Sequence, residues 1–458
     1  MAVDYDLVVV GATSAGQAAA IAAAQTYARV AWVTASVPRT ADPLVLLREG
    51  SRRIQTLEGV SLFQQWQDVL SSALQGTQAA SVAQSYGVDY QEGPVQFQQK
   101  DGLCLTVGQR LMRSRSYLLA MEPEALLPPI LGIDRPQVWT IPQLWQELQR
   151  SDKDWPQHVT ILGDGPQAVE LSQSLRRLGR SVLVLTGGGL LLPQEDREAA
   201  FLLQAYLEGM GIAIDTRGSL TEVLALGREQ LTLKVNDRKY ATDVLVIARE
   251  GSQSLPFYLA PLNLKQTQQK LWVNAPLQTS QPNIYACGPL LGGYRIPSLA
   301  SAEAKVAAQN AVFEKRSPLL YHHIPYAILS DPPLARVGLT ELQAKRYDPQ
   351  VQVLRQSFQD CDRALFEEAP AGLCKVLVQV DGTVLGAHIW GLCGELIHIF
   401  ALAIQQGVRL QDLGRLGYAS PTFAQVIQQV AHQWQRQLWR KDRDLSERWF
   451  YNRRKRAR

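Results

Sequence analysis

Apolar and polar positions fall in short blocks along the chain, and the blocks repeat. Residues 5–10 (Tyr-Asp-Leu-Val-Val-Val) are an apolar run without helical period, the pattern of a strand buried on both faces of a parallel sheet. Gly11-Ala-Thr-Ser-Ala-Gly16 follows, then an Ala-rich helical stretch from Gln17 to Thr26, then a second apolar run from Arg29 to Val33. This predicts a βαβ unit with its turn where such units hold a phosphate. The order returns from His158: a strand to Leu162, a tight turn Gly163-Asp-Gly-Pro-Gln-Ala168, a helix Val169–Leu178 and a strand Ser181–Leu185. Two mononucleotide-binding units in one chain imply two dinucleotide-type domains.

Between the units, residues 86–120 alternate in the manner of antiparallel strands, and residues 271–288 end in another buried strand. From about 321 the texture becomes mixed α+β. Residues 381–391 (Asp-Gly-Thr-Val-Leu-Gly-Ala-His-Ile-Trp-Gly) read as a hairpin with an Asp-Gly turn. Helical spacing follows at 395–406 and 422–436, and the segment after 436 is rich in Trp and Arg.

Composition narrows the class. A chain of 458 residues holds about three domains at roughly 150 residues each. With 46% apolar and 19% charged residues it is not a mostly disordered chain. The net charge of +4 is uneven: residues 436–458 carry ten Lys/Arg and three Asp/Glu, a net of +7, which leaves −3 for the rest. The body is therefore not a nucleic-acid-binding body. Five cysteines with no CxxC exclude a disulfide framework and a zinc ribbon. The segment Met1–Val10 has acids and no basic run, so no secretory signal is expected, and a reduced cytoplasmic compartment is. The apolar stretch 7–24 is interrupted by Gly, Thr, Ser and Gln and does not read as a membrane span.

Candidate chemistry begins at the two turns. Gly11 and Gly16 stand at the outer positions of a GxGxxG pattern, with Thr13 in the middle and Ser14 and Ala15 beside it. Outer glycines permit the tight turn, and the helix N-terminus then faces a pyrophosphate. Thr13 can offer its hydroxyl to a phosphate oxygen. The second strand should end in an acid for an adenosine ribose; here Thr34 stands there and lacks the charge. The plain alternative is a tight turn in an α/β fold. In the second unit Gly163, Gly165 and Ala168 keep the turn, but Leu185-Thr186 offers neither an acid for NAD nor an Arg cluster for NADP. A nicotinamide nucleotide site and an unliganded relic of the fold both stay open.

Further motifs carry a resemblance. Gly93-Pro-Val95-Gln-Phe97, Pro193-Gln-Glu-Asp196, Thr279-Ser-Gln-Pro-Asn-Ile-Tyr-Ala-Cys-Gly288, Ala300-Ser-Ala-Glu303, Ser330–Glu341 and Gly386-Ala-His-Ile-Trp-Gly391 occur in the order of the pyridine nucleotide–disulfide oxidoreductases. The chain resembles that family, which includes glutathione reductase, dihydrolipoamide dehydrogenase and mercuric reductase, over nearly its whole length. The resemblance implies an α/β fold of two Rossmann-like domains plus a C-terminal α+β dimerisation domain. It divides the chain into an FAD-binding domain (1–150 and 271–320), an NAD(P)-binding-like domain (151–270), a dimerisation domain (321–435) and a basic aromatic tail (436–458). It places FAD against Gly11–Gly16, Thr34, Val95, Gly288, Pro289 and Ala300. Glu170 would face the nicotinamide side of the flavin, against the simpler reading of a surface acid near a helix start.

The departures from the family fall on its chemistry. The family's Cys-x4-Cys-x-Pro-Ser-Lys segment is shortened to Ser36–Pro43, without Cys or Lys. Its closing His-Pro-Thr-x-x-Glu is Ser420-Pro-Thr-Phe-Ala-Gln425, and neither Ser nor Gln shuttles a proton near pH 7. Its Gly-Asp at the ribityl chain is Gly288-Pro289, and its two Ala-Thr-Gly segments read Ala120-Met-Glu122 and Ala248-Arg-Glu-Gly251. Disulfide reduction is not expected. Two functions remain: an FAD-dependent NAD(P)H oxidoreductase with a non-disulfide acceptor, or a catalytically silent binding or assembly protein. Either is expected as a homodimer. Cys287 and Cys393 read as small core residues in apolar strands, and His388 as structural. Trp434, Leu438, Leu445 and Trp449 are spaced as one helical stripe opposite basic residues. That stripe suits an anionic membrane surface or an acidic protein, which would put the chain at a membrane periphery, or else it packs on its own domain.

Overall fold

The computed structural model describes residues 3–35, 43–53, 79–99, 102–125, 127–149, 155–227, 230–249, 253–267, 270–441 and 443–456. The chain divides into two compact units, one of residues 1–193 and 204–319, the other of 194–203 and 320–458.

The first unit holds two five-stranded parallel sheets. In one, the strand order is Ile284–Ala286, Ser114–Leu119, Tyr5–Val10, Val30–Thr34, Asp89–Glu92. Leu7 to Val10 pair in register with Val30 to Val33. The strand Tyr5–Val10 separates two cores, as its continuous apolar run requires. Leu7 and Val9 join Ala19, Ala20, Ala23 and Trp32 on one face; Val8 and Val10 join Val33, Phe97 and Tyr117 on the other. The helix Ser14–Ala24 buries only Ala and Gly, and the helix Pro297–Phe313 brings Ala304, Ala307, Ala308 and Ala311 to the same core. Small side chains on both helices let their backbones come close. The second sheet runs Ala213–Asp215, Ser181–Leu185, His158–Leu162, Val244–Ile247, Val138–Thr140, again all parallel. The unit also holds three-stranded antiparallel sheets at 95–112 and 220–242 and two short antiparallel pairs, Glu124–Ala125 with Gln253–Ser254 and Gln266–Thr267 with Lys270–Leu271.

Part of the alternation in 86–120 misleads. Only Val95–Met112 is antiparallel; Asp89–Glu92 and Ser114–Leu119 belong to the parallel sheet. Ser114 and Ser116 mimic an outward polar face, yet both are buried. Ser116 Oγ donates to the Ala311 carbonyl (3.1 Å) and Ser114 Oγ to that of Ser116 (2.7 Å), so neither polar group is orphaned inside.

The second unit is an antiparallel sheet in the order Tyr326–Ile328, Leu334–Gly338, Val384–Trp390, Leu373–Val378, Gln352–Ser357. The expected hairpin is present, with Asp381-Gly382 in the turn and Gly382 at φ +93°. The helices Ile397–Gln406 and Gln425–Lys441 pack on the sheet. Cys287 and Cys393 are buried, but each immediately precedes a 3-10 turn and neither lies in a strand. The single stripe of the tail is not what forms. Trp434 is buried in the core on Gln425–Lys441, whereas Trp449 lies exposed on a separate helix, Arg443–Arg456. The side chains of Leu438 and Leu445 are outside the described residues.

Candidate functional site

The first βαβ turn is built as its sequence demands. Gly11 has φ +137°, and a Cβ there would run into the Ala120 carbonyl, so only glycine fits. A Cβ on Gly16 would press on the Gly11 carbonyl, 2.7 Å away. Trp32 Nε1 donates to that same carbonyl (2.8 Å). Both glycines are thus required by backbone packing, whatever the turn holds.

Thr13 does not present its hydroxyl to a phosphate as expected. It caps its own helix, accepting from Gly16 N (3.1 Å), and donates its single proton to the Ala120 carbonyl (2.6 Å). Thr34 is fully buried and hydrogen-bonded to Tyr90 OH (2.9 Å), so it offers nothing to a ribose. Val95 is buried in the apolar core beneath the three-stranded sheet. The N–H groups of Ser14 and Ala15 remain at the helix N-terminus, where the helix dipole favours an anion.

Gly288 has φ +75°, and the space its Cβ would enter is bounded by Ala300 Cβ (3.7 Å) and Ala15 Cβ (3.9 Å). Gly288 N donates to Glu303 Oε2 (2.6 Å), which joins this loop to the helix carrying Ala300. Pro289 begins a short 3-10 turn and brings no acid. Glu122, which sequence alone sets against a pyrophosphate, is paired with Arg295 (3.2 Å). The structure therefore gathers Ala15, Gly288 and Ala300 on one floor of small groups; Ser14 begins the same helix, Gly16 packs on Gly11 and Trp32, and Thr34 and Val95 are turned into the protein.

The second turn also keeps its frame. A Cβ on Gly163 would clash with the Ala248 carbonyl, and Ala168 packs directly behind it. Gly165 caps the helix Pro166–Arg177. Thr186 donates its hydroxyl to the Gly189 carbonyl, so the ribose end is closed by the protein itself. Asp164 places a carboxyl in the turn, and burial pushes it above its ordinary value, against the pull of Arg249. At this turn neither Thr186 nor a strand-end acid is available to a ribose.

Glu170 is not a surface acid. Its side chain is 11% exposed, and its Oε2 lies 3.3 Å from Nη1 of Arg48, itself 8% exposed, on the helix Pro43–Arg53. Sequence reasoning missed Arg48; a lone cation at the end of Leu-Val-Leu-Leu was its only signal. The shortened segment 36–42 lies outside the described residues.

In the second unit, Ser420 and Gln425 are brought together: Gln425 Nε2 donates to Ser420 Oγ (3.2 Å), while Gln425 Oε1 accepts from Thr422 N (3.3 Å). The hydrogen bond of a side-chain pair exists here without a titrating group. The same unit contains a buried charge cluster. Lys375 Nζ contacts Glu341 Oε2 (2.6 Å), Asp196 Oδ1 (2.7 Å) and Glu198 Oε2 (2.9 Å). Burial alone would lower the Lys375 pKa; its three carboxylates outweigh that and raise it. His388 is buried and pushed down to about 4 by desolvation, in spite of Asp196. Cys104, Cys287, Cys361, Cys374 and Cys393 are all buried and free, and no group of metal-ligating side chains occurs among the described residues.

Residues 5–311 match the family model described as pyridine nucleotide-disulphide oxidoreductase. The chain belongs to that family. Residues 324–431 match its dimerisation domain. The chain is 27% identical over 439 residues to a mercuric reductase of Staphylococcus aureus, covering 90% of this chain and 79% of that protein. It is 26% identical over 463 residues to a dihydrolipoyl dehydrogenase of Thermus scotoductus, covering 93% and 96%. Its fold matches the HOCl-induced flavoprotein disulfide reductase RclA of Escherichia coli (TM-score 0.78, 22% identity, 94% of this chain and 99% of that one). It also matches LpdA of Mycobacterium tuberculosis (TM-score 0.81, 19% identity, 93% and 99%). Among the described residues no helix is long and apolar enough to cross a membrane.

Proposed function

We propose that this family member is an FAD-binding oxidoreductase-type flavoprotein whose acceptor is not a disulfide. The observation that carries this reading is the floor of Ala15, Gly288 and Ala300 at the N-terminus of the helix Ser14–Ala24, with no side chain among them larger than Ala. Residues 1–150 with 271–320 would form the flavin domain, 151–270 the second nucleotide frame and 321–435 the dimerisation domain. The residues fit the pyrophosphate and ribityl portion of FAD through backbone and small side chains. Ser14 N and Ala15 N would hold the pyrophosphate, with Arg295 offsetting the charge of Glu122. When bound, FAD supplies a two-electron acceptor and donor. The chain itself has no cysteine before Cys104 and no acid/base at 420 or 425, so it offers no thiol relay and no proton shuttle there.

A second reading, a silent binding or assembly protein, is favoured by the internal satisfaction of Thr13, Thr34 and Thr186. Purified protein titrated with FAD separates the two. Quenching of FAD fluorescence, then bleaching of the bound flavin by NADH or NADPH, is expected on the first reading. Absence of any FAD binding by folded protein would refute it. We further propose a homodimer formed through residues 324–431, supported by the dimerisation-domain match. The tail, residues 436–458, would stay free of that dimer for an outside partner, an anionic membrane surface or an acidic protein.

A further inference from the structure

We propose that the helix Arg443–Arg456 docks on an anionic phospholipid bilayer. This rests on the reading that the tail is free of the dimer contact. Residues 447–455 are exposed all round, and among them stand three consecutive aromatics, Trp449 (53% exposed), Phe450 (54%) and Tyr451 (60%). Such a cluster left in water is unfavourable and marks a contact surface.

The arrangement selects the partner. Three consecutive helical positions spread over about 200° of the helix circumference at 3.6 residues per turn. A helix seated in a protein groove uses a narrower row at i, i+3, i+4 and i+7. A helix lying shallowly at the bilayer interface can engage over that breadth, with Arg453 and Arg454, which share the arc, reaching outward to the headgroups. The cations are placed to follow. The Arg453 guanidinium lies 5.1 Å from the Trp449 ring centroid, and the Lys455 ammonium 5.9 Å from that of Tyr451. Each ring thus carries a positive charge one turn away, as interfacial aromatics and snorkelling cations are arranged at the headgroup level. Residues 443–456 hold six Lys/Arg against two Asp/Glu, a net of +4, on a chain whose residues 1–435 sum to −3. Attraction to an anionic surface is therefore concentrated in the tail, and this helix carries more than half of its net +7.

The full chain would be sedimented with phosphatidylcholine vesicles, with and without phosphatidylserine, at low and high salt. Two variants accompany it: Arg453→Gln/Arg454→Gln/Lys455→Gln, and Trp449→Ser/Phe450→Ser/Tyr451→Ser. The parent should pellet with phosphatidylserine vesicles at low salt and not with neutral ones. The triple Gln variant should bind on the order of 100-fold more weakly, at about fivefold per basic side chain (about 1 kcal/mol). The triple Ser variant should bind at least tenfold more weakly while keeping the salt dependence. Equal binding to neutral vesicles, or unchanged binding by both variants, would overturn the proposal, as would preference for single-stranded RNA over vesicles. Sedimentation velocity of each protein without vesicles tests the reading beneath it. If the Ser variant loses the dimer, the helix is a dimer contact and was never free; if the dimer persists and vesicles are ignored, the lipid assignment alone fails.

Discussion

Replacing Lys375 by Met should unfold the second unit far more readily than its modest change in volume suggests. Lys375 is 1% exposed, and three carboxylates crowd its ammonium within 2.6–2.9 Å. Arg355 reaches Glu198 (2.7 Å) and Glu341 (3.4 Å) from outside and Lys345 pairs with Glu341, so the variant leaves three acids with two cations, neither of which pairs with Asp196. At 4 Å and an effective dielectric of 20 one pair interaction is about 4 kcal/mol. Removing one partner of such a buried set costs about 3–5 kcal/mol, which for a unit of this size lowers Tm on the order of 10 °C. Asp196, Glu198 and Glu341 are each desolvated, yet hydrogen bonds and charge hold them below their ordinary values. The stability they confer is present above the ordinary carboxylate range and lost as pH falls through their lowered values. In Lys375→Met the lowering is relieved, so the deficit is largest at pH 7 and shrinks below about pH 4. Thermal unfolding followed by circular dichroism at both pH values checks this. A variant within about 1 kcal/mol of the parent at pH 7 would refute the reasoning, and so would a deficit independent of pH. Adding Asp196→Asn should recover part of the loss.

Other outcomes follow from single sites. His388 is held near 4, so folding stability is full above its ordinary pKa and falls by up to about 3 kcal/mol between pH 6.5 and 4. His388→Gln, which can still donate to the Leu339 carbonyl, should flatten that slope in urea unfolding curves. If FAD binds, Pro289→Asp should tighten it about tenfold, because a ribityl hydroxyl regains a charged acceptor; unchanged affinity would place the loop away from the cofactor. Gly11→Ala should cost more than about 2 kcal/mol, or prevent folding, because both its φ and its approach to Ala120 exclude a Cβ. Neither lipoamide nor glutathione disulfide should be turned over, and steady-state assays giving ordinary reductase rates would contradict that.

Much of the fold was legible because burial on both faces leaves apolar runs that polar chemistry does not interrupt. Leu7–Val10 is of that kind and lies on the central strand of its sheet; Val159–Leu162, broken only by the buried Thr160, is central in the second sheet, and Val182–Leu185 lies beside it. Ser114 and Ser116 were not legible, since a buried serine that finds a carbonyl looks in sequence like an exposed one. The stripe through the tail failed for a related reason. Spacing alone treats residues 434 to 449 as one helix, but Trp434 is tied into the core and Trp449 belongs to the next helix. Arg48 escaped notice because its partner, Glu170, is 122 residues away.

The site is where sequence and structure diverge most, and the divergence has a common form. At Thr13, Thr34 and Thr186 a threonine can be imagined turning its hydroxyl to a ligand, and each turns it to the protein instead: to Ala120 O, Tyr90 OH and Gly189 O. Breaking such a bond to engage a ligand leaves a buried polar atom unpaired, at about 1–3 kcal/mol, which cancels most of what one new hydrogen bond returns. Side-chain recognition at those three positions is therefore close to neutral. The helix N-terminus at Ser14–Ala15 is different, because its N–H groups belong to the first turn and have no partner within the helix. Any dinucleotide this chain holds must be bound through backbone and shape, so its affinity should respond weakly to substitution of Thr13, Thr34 or Thr186 and strongly to filling the floor. Ala300→Leu, which extends into the space beside Gly288 and Ala15, should abolish FAD binding while leaving the fold intact. Titration of FAD against Ala300→Leu and Thr34→Val decides the matter: the reasoning fails if the valine variant loses the cofactor and the leucine variant keeps it.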